Sequence, residues 1–492
     1  MPPSSTNPPP DEPPPPGDLP LTEFRQAMHR VADIAAEYLQ QVQEYRVVPA
    51  IAPGDVRRRL PPGPPEQPAP LAAILDDYRT LIEPNVTHWN HPGFLAYFAI
   101  TGSAPGIVAE ALAATLNVNA MLWRTGPAPT ELEELVCDWL RQMIGLPPTF
   151  RGHINDTASI ASLLGLAAAR QRACPEARHS GLAGRSDLPP LVVYCSEHAH
   201  SSIDKAAITL GIGLANLRKI PADAQFRMDV AALQGAVCDD RAAGRRPIAV
   251  VATAGTTSTA SVDPLRPIGA LCHREGLWLH VDAAYAGSAA ICPELRPLFD
   301  GLELADSIVV NPHKWLFVPV DCSVMLVRDV DTLKEAFAVV PEYLKTADSG
   351  GTNLMDYGVQ LGRRFRALKM WMVFRAYGVR GLQERIRYHC ALAREFAGWV
   401  QAEPGLEVVA PVLFSTVCFR AAPPGIPPVQ QDRFNERLLE RVNAAGPVFL
   451  SHTRLGGRFV LRLAIGNVRT LREHVQTAWE LVRATRRELV GT

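Results

Sequence analysis

No apolar run in this sequence approaches the roughly 18–20 residues that a membrane-spanning helix needs, so no membrane span is expected. Net charge is lacking too. The formal balance is −1 at neutral pH, which recommends neither nucleic acid nor an anionic membrane as a partner. The nine cysteines lie between Cys137 and Cys418, and no two of them form a C-x-x-C pair. An odd count in a large chain fits reduced thiols in a cytoplasmic protein better than a disulfide framework or a zinc site. The opening MPPSSTNPPPDEPPPPGDLP has neither a basic end nor an apolar core, and so does not read as a secretory signal. Its proline content supports neither helix nor sheet, and residues 1–20 are expected to be an extended, disordered tail.

At 492 residues the chain exceeds what one hydrophobic core serves, which implies two or three domains. Its 47% hydrophobic and 20% charged residues are those of a globular protein. Phe24, Met28, Val31, Ala35, Tyr38 and Val42 recur at helical spacing, with Thr22 as the expected cap and Pro49 as the stop. Such a stripe covers either the chain's own core or a second subunit. Residues 52–70 are proline-rich and read as a surface connection. From 105 to 375, β-rich runs at 191–196, 248–255, 277–284 and 307–311 alternate with helical stretches. That pattern predicts a mainly parallel sheet with helices on both faces, an α/β domain. The run CSVMLVRD at 321–328 follows too soon for a helical crossover, so it is expected to pair antiparallel. Residues 376–492 mix helices with strand candidates at 412–420 and 458–465, which suggests a small α+β domain.

In open α/β sheets, ligands sit beyond the carboxyl ends of the strands. Asp282 follows one predicted strand, and Asn311, His313 and Lys314 follow another. His200, Thr256 and Thr257 follow two more. Pyridoxal phosphate demands this kind of set: a lysine for the Schiff base, an acid for the pyridine nitrogen and donors for the phosphate. Lys314 supplies the first and Asp282 the second. The stretch Asp156-Thr157-Ala158-Ser159 opens a helical run, which offers free amides and hydroxyls for the third. His198 and His200 alternate on one strand but have no third ligand at a usual spacing, so no metal is expected.

The motifs HVDAAYAGSAAICPE at 280–294, NPHKW at 311–315, VTHWNHPGFLAYF at 86–98, TELEELVCDWL at 130–140, YCSEHAHSSIDKA at 194–206 and LGRRFRALKMW at 361–371 stand in one order. Together they resemble the aromatic-L-amino-acid decarboxylase family of pyridoxal-phosphate enzymes. The resemblance runs from about residue 21 to the C-terminus. It implies an aspartate-aminotransferase-like (fold type I) structure and a homodimer with shared active sites. Residues 21–104 would then be an N-terminal helical segment packing on the partner, 105–375 the large cofactor domain and 376–492 the small one. Lys314 resembles the Schiff-base lysine, Asp282 the pyridine-nitrogen partner, Ala284 a residue against the ring, and His200 the stacking imidazole. Ala158, Ser159, Thr257 and Asn311 resemble phosphate-site or nearby polar groups, and His313 would line the same site. Trp89, Tyr97, Phe98 and Met121 match positions that shape the substrate pocket.

The family carries a proton-donating tyrosine on a mobile loop. Here Tyr343 lies in VVPEYLKTADSGGTN, a run rich in loop-forming residues, and the resemblance makes it the donor to Cα. Two departures stand out. Asp156 occupies a place where relatives tend to have glycine, and is expected to cap the helix or turn away from the phosphate. Ile100 stands where catechol-acting relatives have a hydroxyl residue, and with Gly362 it favours an indole or unsubstituted ring. The competing readings are a histidine or glutamate decarboxylase, an aromatic aldehyde synthase, and a catalytically silent dimeric scaffold. No dedicated cation for a glutamate side chain is evident in the sequence.

Overall fold

The computed structural model describes residues 17–339 and 351–491. The chain divides into two compact units, residues 1–87 and 88–492. In the first, the helix Leu21–Gln41 starts after Pro20, with no side-chain cap; Thr22 lies inside it and does not cap it. Phe24, Met28 and Val31 are exposed in this chain, whereas Ile34 and Val42 are buried.

The second unit is built on a seven-stranded sheet. Its strands are β1 (Arg151–Asn155), β2 (Leu191–Ser196), β3 (Leu217–Ile220), β4 (Arg246–Thr253), β5 (Trp278–Asp282), β6 (Ser307–Val310) and β7 (Ser323–Val327). They lie in the order β1-β7-β6-β5-β4-β2-β3. β7 runs antiparallel to both neighbours, as its short link to β6 predicts. The pairings from β6 to β3 are parallel. The period of two sorts each strand onto two faces. Val192, Val250, Leu279, Ile308 and Val324 enter one hydrophobic cluster, while Val193, Val251, Trp278, Val309 and Met325 enter another. Both faces are covered, so β2 and β5 are buried along their whole length.

A four-stranded antiparallel sheet follows, formed by β8 (Leu406–Val408), β9 (Thr416–Ala421), β10 (Ser451–Leu455) and β11 (Arg458–Ala464) in the order β10-β11-β9-β8. The helical stretch Ala367–Ala402 joins the two sheets and breaks at Gly378, whose φ of 61° favours glycine. Met370, Val373 and Leu382 pack under the large sheet, and Phe396 and Val400 pack with Val417, Phe419 and Leu461 of the small one.

Candidate active site

Of the polar groups predicted to follow the strands, all but Thr256 converge. A cavity of about 190 Å³ opens at the carboxyl ends of β4, β5 and β6, and Ala158, Ser159, His200, Thr257, Asp282, Ala284, Asn311, His313 and Lys314 all line it. Lys314 sits on the single helical turn Pro312–Trp315 directly after β6. Its amide donates to Asn311 O at 2.9 Å, and the Asn311 amide donates to Ala284 O at 3.0 Å, which ties this turn to the end of β5. The Asn311 carboxamide oxygen accepts from Ser323 Oγ at 2.6 Å.

Burial lowers the pKa of Lys314, the Asp282 charge opposes that shift, and the Arg462 charge adds to it. Asp282 is nearly buried, and its Oδ1 accepts from the Ala284 amide at 3.1 Å. The imidazole of His200 accepts at Nδ1 from the Ser202 amide at 3.1 Å and meets the Ser202 hydroxyl at 2.9 Å. Its remaining N–H is therefore at Nε2. Burial lowers the His200 pKa; Asp282 opposes this and Lys314 reinforces it. His313 accepts at Nδ1 from the Cys322 amide at 2.9 Å, and burial beside the Lys314 charge pushes its pKa down to about 3.

At the opposite end, the helix Ala158–Ala173 begins after Thr157 with no side-chain cap. Its first amides have no acceptor within the helix. Asp156 does not cap it. Its Oδ1 accepts from the Thr157 amide at 2.6 Å, and its Oδ2 accepts from Gln360 Nε2 at 3.3 Å. Asp156 itself does not line the cavity, but it is held on Thr157, which does, and the expected helix cap is not formed.

The substrate-pocket residues divide. Phe98 lines the cavity; Trp89, Tyr97, Ile100, Met121 and Gly362 do not. Trp89 stacks on Phe94 and Tyr97, with ring centroids 4.3 and 5.9 Å away. Met121 and Gly362 meet at Asn119. Asn119 Nδ2 lies 3.4 Å from Met121 Sδ, and a Cβ at Gly362 would lie 3.8 Å from the same amide, so a side chain fits there. Tyr343 lies outside the described residues.

Sequence reasoning missed two groups. Thr253 lines the cavity, and its buried hydroxyl has no hydrogen-bond partner. Arg462 of β11 is buried, and among the described residues no carboxylate pairs with it. Its Nη1 donates to Ala96 O at 2.6 Å, its Nε donates to Ser258 O at 3.2 Å, and its Nη2 has no partner. The available signal was a charge in the middle of the apolar run FVLRLAI.

The residues fit pyridoxal phosphate. An acid, a lysine of lowered pKa, a set of uncapped amides and an orphaned hydroxyl surround one small cavity, as the three demands of that cofactor require. A parallel sheet with its site at the strand ends, a lysine on the turn after β6 and a small antiparallel domain define a fold-type-I pyridoxal-phosphate enzyme. Residues 53–422 match the pyridoxal-dependent decarboxylase conserved domain, and the chain belongs to that family of carboxy-lyases. It is 43% identical to the aromatic-L-amino-acid decarboxylase of Sus scrofa over 96% of this chain and 97% of that protein. It is 40% identical to the phenylacetaldehyde synthase of Arabidopsis thaliana, over 94% and 95%. The crystal structure of Oryza sativa TDC with PLP and tryptamine superposes with a TM-score of 0.92, at 40% identity over 96% of this chain and 99% of that one. Among the described residues, no helix is long and apolar enough to cross a membrane.

Proposed function

We propose that this protein decarboxylates an aromatic L-amino acid to the corresponding amine and carbon dioxide, with its cofactor held on Lys314. The observation that carries the reading is the convergence of Lys314, Asp282 and the uncapped helix start at Ala158–Ser159 on one cavity. When bound, pyridoxal phosphate supplies an electron sink for the pair left as the Cα–carboxylate bond breaks.

The chain's own groups do the rest. Lowering the Lys314 pKa enlarges its free-amine fraction, which is the nucleophilic form. Asp282 would keep a proton on the pyridine nitrogen, and Ala284 would lie against the ring. His200 would stack on the ring, and its Nε2–H is left to donate because Ser202 occupies Nδ1. Ala158, Ser159 and Thr257 would hold the phosphate, with Asn311 and His313 beside them. Trp89, Tyr97, Phe98, Ile100, Met121 and Gly362 shape the substrate pocket. Tyr343 delivers the proton to Cα that makes the product an amine.

Several features support a homodimer with shared sites in the cytoplasm. Leu21, Phe24, Met28 and Val31 are exposed on one helix, and Val108, Leu112 and Leu116 on another. Monomers rarely leave such faces bare. All nine cysteines are free, in keeping with a reducing compartment. Residues 105–375 serve as the cofactor domain and 376–492 as the small domain.

Incubation with the full set of proteinogenic amino acids, with amines identified by mass spectrometry and released carbon dioxide captured, tests the reading. Amine from tryptophan, phenylalanine or tyrosine is the expected result. Glutamate belongs in the panel because Arg462 is a buried cation near Lys314, and turnover of glutamate alone would overturn the aromatic assignment. A second reading, an aldehyde synthase, draws on the Arabidopsis relative; aldehyde with peroxide in place of amine would establish it.

A further inference from the structure

His280 belongs to the motif HVDAA but has no part in the chemistry above. It lies on β5, two residues before Asp282, and is fully buried. Both ring nitrogens have partners. Nδ1 meets Ser307 Oγ at 2.8 Å, and Nε2 meets Ser162 Oγ at 3.0 Å. Ser307 also accepts from the indole N–H of Trp278 at 2.8 Å. Burial pushes the His280 pKa down to about 4, against the opposing Asp282 charge. The ring is therefore neutral at physiological pH, with one donor and one acceptor nitrogen for its two hydroxyl partners.

What sets His280 apart from an ordinary core histidine is the identity of the elements it joins. Ser162 lies one turn into the helix Ala158–Ala173, whose start carries Ala158 and Ser159. Ser307 opens β6, the strand that leads to Asn311 and Lys314. Asp282 is on the same strand and the same face as His280. One imidazole thus fastens together the three elements that hold the proposed phosphate donors, the lysine and the acid. The approach is close. A Cβ on Gly165 would come within 2.8 Å of His280 Nδ1 and 3.0 Å of Ser307 Oγ, so the helix reaches the ring only because residue 165 is glycine.

We infer that His280 is a positioning residue. By tying Ser162 to β5, it fixes the distance between the donors at Ala158–Ser159 and the acid at Asp282, and so tunes the site to a phosphorylated cofactor. The inference rests on the phosphate assignment made under the proposed function.

The test compares the full-length protein with Ser162→Ala, His280→Leu and His280→Gln. Dissociation constants for pyridoxal phosphate and for pyridoxal, which lacks the phosphate, are measured on each after cofactor removal. Thermal melting and the visible circular dichroism of each reloaded protein are recorded beside them. Loss of one buried hydrogen bond should reduce the preference for the phosphorylated form about fivefold in Ser162→Ala and at least as much in His280→Leu. His280→Gln keeps a donor and an acceptor and should recover most of it. A purely structural histidine would lower the melting temperature and weaken both ligands equally, and an unchanged ratio in Ser162→Ala overturns the inference. If His280→Leu does not fold, Ser162→Ala, which removes a single oxygen atom, decides the matter alone. Failure of the unsubstituted protein to prefer pyridoxal phosphate over pyridoxal would instead overturn the phosphate assignment.

Discussion

The Arg462 guanidinium carbon stands 4.6 Å from the centre of the Phe98 ring. The same ring stacks on Tyr285 at 3.6 Å, nearly parallel, and Tyr285 stacks on Trp315 at 4.8 Å. The Lys314 nitrogen lies 5.4 Å from the Phe98 centre. Arg462 and Lys314 therefore share Phe98 as an aromatic neighbour. Removing the arginine should let the Lys314 pKa rise toward the ordinary lysine value, because Arg462 contributes to its lowering. For Arg462→Met, the rate at which the cofactor-free protein takes up pyridoxal phosphate at neutral pH should fall about three- to tenfold. The pH at which uptake is half-maximal should move upward. A pH–uptake profile identical to that of the unsubstituted protein would show that the charge does not reach Lys314.

Lys314 itself gives the most direct prediction. Lys314→Ala should abolish amine formation and the visible absorbance of the cofactor–lysine conjugate. Asp282→Ala should retain the conjugate but lose most turnover and much cofactor affinity, because a dry acid–pyridinium pair is strong and removing one member leaves the other unpaired. An absorbance titration of both variants checks this. Normal turnover by either would remove that residue from the reaction.

Much of this site was legible in the sequence because its residues follow apolar strands. The runs at 191–196, 248–255, 277–284 and 307–311 announce β2, β4, β5 and β6, whose ends carry Asp282 and Lys314. Other strands gave no such signal. β1 reads Arg-Gly-His-Ile-Asn and β3 reads Leu-Arg-Lys-Ile; both are edge strands, and each needs only partial burial. Arg462 escaped notice because a charge in a strand normally faces water, and only the packing of β11 against Ala96 and Phe98 shows that this one faces inward. The division of the pocket residues was equally hidden. Phe98 and Tyr97 are neighbours in sequence, yet one is buried against Tyr285 and the other is half exposed beside Trp89.

Four buried histidines make stability depend on acid. Burial is the main cause of lowered pKa values at His153 and His313 (about 3) and at His280 and His389 (about 4). A histidine whose pKa is lower in the folded state stabilises the fold fully above the unfolded value near 6.5. That contribution falls away as pH drops through the window between about 6.5 and the folded value, at about 1.4 kcal/mol per pH unit for each group. The melting temperature should therefore decline steadily from pH 6.5 to pH 4. Among the described residues, His153 has no hydrogen-bond partner on either ring nitrogen. His153→Leu should leave the neutral-pH melting temperature equal or higher and make the acid decline shallower. A decline as steep as in the unsubstituted protein would remove His153 from the account.

Tyr343 follows from the sequence resemblance. Tyr343→Phe keeps the ring but loses the phenolic proton. Carbon dioxide should still be released, with the product shifting from amine toward aldehyde as the unprotonated carbon meets oxygen. Peroxide and aldehyde assays beside amine quantification provide the check. Amine at the full rate with no aldehyde would rule out Tyr343 as the donor.

Gly362 is proposed to shape how the substrate pocket treats a ring hydroxyl, although the residue does not line the cavity beside Lys314. It stands beside Asn119, and the space where its Cβ would be is open, with Asn119 Nδ2 3.8 Å away. Ile100, two residues after Phe98, is proposed to present apolar surface to the substrate where a hydroxyl residue could meet a catechol. Burying a phenolic hydroxyl with no partner costs roughly 1–3 kcal/mol, or about tenfold to a hundredfold in specificity. Tryptophan and phenylalanine should therefore be used with higher kcat/KM than tyrosine or dihydroxyphenylalanine. Gly362→Ser adds both bulk and a hydroxyl in that open space, so it should lower kcat/KM for tryptophan while raising that for tyrosine. Specificity constants for the four amino acids, measured on both forms, test the pocket separately from the reaction class. If dihydroxyphenylalanine is preferred tenfold or more by the unsubstituted protein, another group, with Asn119 the nearest candidate, satisfies the ring hydroxyls, and the apolar reading of this wall falls while the decarboxylase stands.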